Sequence, residues 1–199
     1  MFISSFTERQ TMCFTELPRI TAPSGRFVLR PFAPTDRDAL VESINASRIA
    51  ERVTNIPSPY TVLHAREWLT SLERERVDFA FARRIDFAIE INGGVVGSVA
   101  FIRIEGHRAQ VSMWLSSEHR GRGIMPEALR MLVEFGQKLC GLVRIYAHVS
   151  VDNPASKQTL IKAGFVFESV IEKEWFRNGV YYDSYCYKVI ADITPRSVK

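Results

Sequence analysis

A chain of 199 residues, 46% hydrophobic and 24% charged, has ordinary globular composition and is long enough to bury one sizeable core. Lys and Arg number 26 against 22 Asp and Glu, a net charge of +4 that suits a small anionic ligand and falls short of a nucleic-acid-binding surface. Cys13, Cys140 and Cys186 are too few and scattered for a disulfide framework, and no secretory leader or apolar run near ~18 residues is legible, so the expectation is a cytoplasmic protein without a membrane segment.

Residues 1–24 carry Pro18 and Pro23 and keep no period, which predicts an N-terminal arm ahead of a domain over 25–192, with 193–199 as a tail. Residues 26–32 read as a strand, and Thr35 with Asp38 forms a capping-box pattern opening a helix to about Ser47. Thr61 caps a second predicted helix, in which Leu63, Trp68, Leu69 and Leu72 recur at helical spacing to about Arg76. Strands over 79–91 and 95–104 flank Asn92-Gly93-Gly94, and a third over 108–115 puts Val111, Met113 and Leu115 on one face, completing an antiparallel meander.

Residues 123–140 form the longest predicted helix, with Ile124, Ala128, Leu132 and Phe135 in one stripe and Pro126 in the tolerant first turn. A strand over 143–149, a short helix over 154–163, a strand from Phe165 and a hairpin at Asn178-Gly179 into 181–190 complete the order β-α-α-β-β-β-α-β-α-β-β. An antiparallel half joined to one strand-helix-strand crossover is an α+β, mixed α/β arrangement with helices packed on the sheet.

Residues 114–129, WLSSEHRGRGIMPEAL, pass from a strand end through a loop with two glycines into the long helix. Gly121 and Gly123 let an anion approach the backbone, and the exposed N–H groups and positive helix end favour negative charge. Arg120 and Arg122 add long-range attraction. A glycine-punctuated turn with solvated arginines fits the spacing equally well. No P-loop Lys-Ser/Thr pair follows the glycines, and a GxGxxG fingerprint breaks at Pro126. A single RGRG string inside a folded turn is a poor match to arginine-glycine RNA-binding tracts, so no nucleic-acid partner is expected. Asn153 and Ser156 lie at the next strand-helix turn, where Asn153 or Asp152 serves equally as a plain cap.

These features together resemble the GNAT superfamily of acyl-coenzyme A N-acyltransferases, in the branch of the RimJ/RimL ribosomal-protein N-acetyltransferases. The resemblance spans about 26–190 and rests on Val96-Gly97, RGRGIMPEAL at 120–129, Asn153 with Ser156, Gly164-Phe165, and Asn178-Gly179 with Asp183. It implies a three-layer fold with a mixed, mostly antiparallel sheet between helices, and acetyl-CoA as co-substrate. The backbone of Arg120, Gly121, Arg122, Gly123, Ile124 and Met125 would wrap the pyrophosphate, Trp114 and Leu115 would pair with the pantetheine arm, Asn153 would meet it, and Ser156 would lie near the sulfur. A cytoplasmic enzyme follows, with no metal and no membrane partner, and an assembly of two copies is compatible with it.

The family pattern departs at three places. Met125 stands where a last small residue is usual, Leu160 where many relatives carry a thiolate-protonating tyrosine, and Gln110 where many carry a glutamate base. An amide takes no proton at neutral pH. Ser156 is then the candidate acid, and Glu172 and Glu174, set on one face by two-residue alternation, the candidate bases, with Glu174 preferred. Such a pair before a hairpin is equally a solvated face. The four histidines show no metal-ligand spacing, the tyrosines at 181, 182, 185 and 187 read as core and surface halves of a strand, and Cys140 and Cys186 need no catalytic role.

The expected activity is direct acetyl transfer to a primary amine. Loss of the usual base favours the α-amine of a peptide or protein, such as a ribosomal protein, because its pKa of about 7.7–8.0 asks less of a base than lysine's ~10.4. The alternatives are a small-molecule acetyltransferase for a polyamine, amino acid or antibiotic, and a coenzyme A-binding regulatory module without turnover. A polyamine site should gather carboxylates, and residues 53–60, the expected acceptor wall, hold none.

Overall fold

Side-chain alternation along the central strands sorts the chain into two apolar layers. The structure, a computed structural model, describes residues 16–49, 56–76, 83–177 and 179–192. In chain order the elements are β1 (Ile20–Thr21), β2 (Val28–Pro31), α1 (Arg37–Ala46), α2 (Val62–Arg76), β3 (Ile85–Ile91), β4 (Gly94–Glu105), β5 (Arg108–Leu115), α3 (Ile124–Leu139), β6 (Arg144–Ser150), α4 (Pro154–Lys162), β7 (Val166–Arg177) and β8 (Val180–Ile190). The strands form one sheet in the order β1-β2-β3-β4-β5-β6-β8-β7. Every pairing is antiparallel except β5 with β6.

On one face Phe87, Ile89, Val99, Phe101, Val111 and Ile145 meet the apolar stripe of α3 and Leu160 of α4. On the other, Ala88, Val95 and Trp114 meet Leu40 and Ile44 of α1 and Leu69 and Leu72 of α2. The sheet is therefore the middle of three layers, the mixed architecture expected, and β4 is buried from Val95 to Phe101 because both of its faces are covered. No described helix is long and apolar enough to cross a membrane.

Local chemistry explains where elements begin and end. Asn92 (φ 51°) and Gly93 (φ 81°) both take positive φ, the two-residue turn that matches the twist of β3 and β4. The α2 start is closed reciprocally: the His64 N–H donates to Thr61 Oγ1 (3.3 Å) and the Thr61 N–H to His64 Nδ1 (3.2 Å).

Four expectations need correction. The Thr35–Asp38 box does not form: Asp36 accepts the Ala33 N–H (2.8 Å) and both Arg30 terminal nitrogens (2.7 Å each), while Asp38 pairs with exposed Arg37. Residues 20–21 of the presumed arm pair with β2, and Leu17 and Ala22 are buried, so the arm's end belongs to the sheet. Strand β3 begins at Ile85, and the rest of the predicted 79–91 strand reaches into 79–82, outside the described residues. The β7–β8 register shifts between Ile171 and Trp175, with Lys173 at φ 52°. This bulge breaks the alternation expected of Glu172 and Glu174. Asn178, half of the predicted turn, lies outside the described residues.

Candidate active site

β5 and β6 pair at only three positions, Arg108 with Arg144, Ala109 with Ile145 and Gln110 with Tyr146. Yet β5 continues to Leu115 and β6 to Ser150, so the two strands diverge beyond that point. A cavity of about 350 Å³ lies at the open end, walled by Trp114 and Leu115 of β5, the glycine loop, and Asn153 and Ser156 of α4.

The loop is anchored through its first residues. The Ser116 N–H donates to the Val96 carbonyl (2.8 Å) and the Ser117 N–H to Ser47 Oγ (2.9 Å), tying the loop to β4 and to the end of α1. Gly97 sits under this turn. A Cβ there would lie 2.7 Å from the Trp114 carbonyl oxygen, so only glycine lets the strands approach. Gly121 and Gly123 adopt φ 75° and 76°, and a Cβ on Gly121 would meet nothing within 4 Å, which describes an open cradle. Gly123 caps α3, whose hydrogen bond at this end is Glu127 N–H to Gly123 C=O (3.4 Å). The N–H groups of Ile124 and Met125 thus have no partner one turn back, and Pro126 has no N–H to orphan.

The two arginines of the loop sit in different settings. Arg120 turns back, donating through Nε to the Leu115 carbonyl (3.0 Å) and through Nη2 to that of Ser47 (3.5 Å), so it shapes the loop as well as lining the cavity. Arg122 contributes no side chain to the wall, and its carbonyl accepts from Arg26 Nη1 (2.7 Å). Arg26 also pairs with Glu127 (2.9 Å), which accepts the Ser24 N–H (2.9 Å). Burial alone would push the Glu127 carboxyl up, but the Ser24 and Arg26 donors outweigh it and hold the group below its ordinary value.

Among the described residues the wall includes Arg120 and Lys162 and no carboxylate, a donor set that fits the pyrophosphate of a coenzyme A thioester. Asn153 serves as cap and wall together: its Oδ1 accepts the Ser156 N–H (3.2 Å) while both residues face the cavity. The cap uses the serine backbone and leaves the hydroxyl out. Leu160 is fully buried in the core and is not part of the cavity wall. Sequence reasoning missed Ala155, Gln158, Thr159 and Lys162, which also line the cavity. Their three- and four-residue spacing marks one face of α4 and was the available signal.

A second cavity, about 340 Å³, lies on the opposite face of the sheet between β3–β5 and the α1–α2 layer. Met113 and Trp114 line both cavities, so the end of β5 is their common wall. Burial pushes the Tyr60 hydroxyl in this wall up to about 12, keeping it neutral. The carboxylate-free stretch expected here reaches into 53–55, outside the described residues, and Glu67 and Asp86 bring carboxylates to the wall from α2 and β3. Asp86 is buried and clamped by Arg84 (2.5 and 2.8 Å).

Glu174 lines neither cavity. It turns into the sheet and meets His148 Nδ1 at 2.5 Å, whereas Glu172 is exposed.

The acetyltransferase (GNAT) domain model matches residues 26–166. The chain belongs to the GNAT acetyltransferase family, whose enzymes use acetyl-CoA as co-substrate. It is 33% identical over 100 residues to the ribosomal-protein-serine acetyltransferase of Escherichia coli, covering 49% of this chain and 56% of that enzyme. It is 32% identical over 91 residues to the spermidine N(1)-acetyltransferase of Vibrio cholerae, covering 45% and 53%. The chain thus spans about half the length of these two relatives. The RimL ribosomal alpha-N-protein acetyltransferase in complex with coenzyme A shares the fold, with a TM-score of 0.79 and 20% identity over 88% of this chain and 99% of that one.

Proposed function

We propose that this GNAT domain transfers acetyl from acetyl-CoA to a primary amine, and that the acceptor is the α-amine of a peptide or protein such as a ribosomal protein. The observation carrying the proposal is the glycine cradle at the open end of β5 and β6, with no carboxylate among the described residues of its wall, sharing Met113 and Trp114 as wall residues with a second cavity. Backbone N–H groups from Gly121 to Met125 hold the pyrophosphate, and the unpaired edge of Trp114 and Leu115 orients the pantetheine arm. The amine enters from the second cavity and attacks the carbonyl directly, and the Ser156 hydroxyl donates toward the leaving sulfur.

Support for an α-amine comes from Gln110, buried where a carboxylate base is usual. The names of the ribosomal-protein relatives agree with it. Glu67 and Asp86 favour a polyamine as the second reading, as does the spermidine acetyltransferase relative. Against it, the charge of Asp86 is matched by Arg84, whose guanidinium also lies 5.8 Å from the Trp68 ring centroid. The test is coenzyme A release from acetyl-CoA against a panel of N-terminal peptides, lysine peptides and small amines. Release with N-terminal peptides alone is the expected result.

A further inference from the structure

Gln110 and Tyr146 are the last paired residues before β5 and β6 part. Ile145, Ala147 and Val149 face the α3 core, so alternation puts Tyr146 and His148 on the other face of the sheet, shared with Ser112 and Trp114 of the acceptor-side cavity. His148 is therefore the next residue on that face past the point of divergence. Its Nδ1 is held by Glu174 Oε1 at 2.5 Å, and Nε2 has no protein partner among the described residues. A carboxylate on one imidazole nitrogen fixes the tautomer that leaves the other nitrogen able to accept a proton.

Among the described residues, Gln110 Oε1, Glu174 Oε2, Ser184 Oγ and Trp175 Nε1 are buried without a partner; the amide and carboxylate oxygens can only accept, the indole N–H only donates, and the serine hydroxyl does either. Ser184 stands opposite Ser150 and Cys186 opposite His148, so these groups come from strands on both sides of β6 onto the His148 face. Buried acceptors are costly unless a donor reaches them, and a primary ammonium is a guest with three donors.

We infer that His148 is the general base for the acceptor amine and that Glu174 is its positioning residue. This rests on the acetyltransferase reading and changes the role expected of Glu174, whose Oε1 is engaged by the imidazole. His148 Nε2 takes a proton from the ammonium. The freed nitrogen lone pair forms the C–N bond to the thioester carbonyl carbon, and the C–S bond breaks with its electrons on sulfur. The second nitrogen proton, passed through the Ser156 hydroxyl, completes the coenzyme A thiol, and the imidazolium returns its proton to water. One ammonium and one thioester thus give one amide, one thiol and one proton.

The charged and titratable groups facing His148 are Glu174 from β7, Cys186 from β8 and Tyr146 on its own strand, 5.3 Å between ring centroids; β5 contributes neutral Gln110. The test is kcat/KM against pH for an α-amine peptide with the wild type, His148→Gln and Glu174→Gln, with acetyl-CoA affinity measured by calorimetry. His148→Gln should lose ~10²-fold in kcat/KM at pH 7, with acetyl-CoA affinity within about threefold. Without the base only the neutral amine can react, so this deficit should shrink as pH rises through the amine's own pKa of about 7.7–8.0. Glu174→Gln should show the same pH-dependent deficit at smaller size, because the imidazole loses the acceptor that orients it. A His148→Gln rate within about threefold of wild type at pH 7, or a deficit of the same size at every pH, overturns the inference. If His148→Gln fails to bind acetyl-CoA, the Glu174→Gln profile decides, and a deficit independent of pH overturns it. A wild type inactive on every amine overturns the acetyltransferase reading itself and this inference with it.

Discussion

The two sides of the proposed site are built by different means. The side proposed for the coenzyme comes from one continuous stretch, 114–125, and the first turns of α4, and would work largely through backbone: N–H groups, two positive-φ glycines and a strand edge unpaired with β6. The side proposed for the acceptor is assembled from α1, α2, β3, β4 and β5, with the His148–Glu174 pair on the same sheet face, and would work through side chains. A backbone site constrains few residue types and suits a substrate common to a family. A side-chain site changes with every substitution and suits an acceptor that differs between members.

Substitutions can break or sharpen that contrast. Gly123→Val forces a branched residue into φ 76° at the cradle and toward Arg26, so acetyl-CoA affinity should fall by more than ~10³-fold, about 4 kcal/mol. Calorimetry reads the loss, with circular dichroism to separate it from unfolding. Near-wild-type affinity would remove the coenzyme from this turn.

Ser156→Ala should lower kcat by about 10²–10³ with little change in acetyl-CoA affinity. Its cap survives because Asn153 binds the Ser156 N–H and not the hydroxyl. An unchanged kcat, with chemistry rate-limiting, would leave Ser156 as a helix-turn residue only.

On the acceptor side of the sheet, hydrogen bonds from Arg144 and Lys188 hold the Glu168 carboxyl down at about 2. A depressed carboxyl stabilises the fold fully above its ordinary value of about 4.5, and that contribution is lost as pH falls toward about 2. Between pH 5 and pH 3 the wild type should therefore lose on the order of 1–2 kcal/mol more stability than Glu168→Gln. Urea unfolding at the two pH values measures it, and equal losses would show that the pair adds nothing. Asn153→Ala is the mildest change, costing about 1 kcal/mol of stability through its cap and raising the KM for acetyl-CoA. A stability loss with KM unchanged would make Asn153 a cap alone.

The elements around the glycine loop were legible in the sequence, as was the β3–β4 turn, because their signals are local. The α3 stripe, the Asn92-Gly93 turn and the Gly121/Gly123 loop each lie within one element or one junction, and the structure has all three. The acceptor side was not legible for the opposite reason. Asp86 and Tyr60 come to line one cavity only because α1 and α2 pack on the sheet, and His148 and Glu174 stand 26 residues apart, joined because a bulge at Lys173 turns Glu174 inward. Period-two reasoning fails at such a bulge by construction. Arg120 is a subtler case: its type and position suggested an anion contact, but the loop's own carbonyls compete for the same guanidinium.

The most direct test of α-amine acetylation compares kcat/KM at pH 7 for matched peptides offering either a free N-terminus or a single free lysine. With reference pKa values of about 7.7–8.0 and ~10.4, the two amines differ by roughly 3.5 kcal/mol in the cost of reaching the neutral form. The account predicts that the N-terminal peptide is turned over at least ~10²-fold faster, the larger part of that difference. Faster turnover of the lysine peptide, or of a free polyamine added to the same assay, would contradict it.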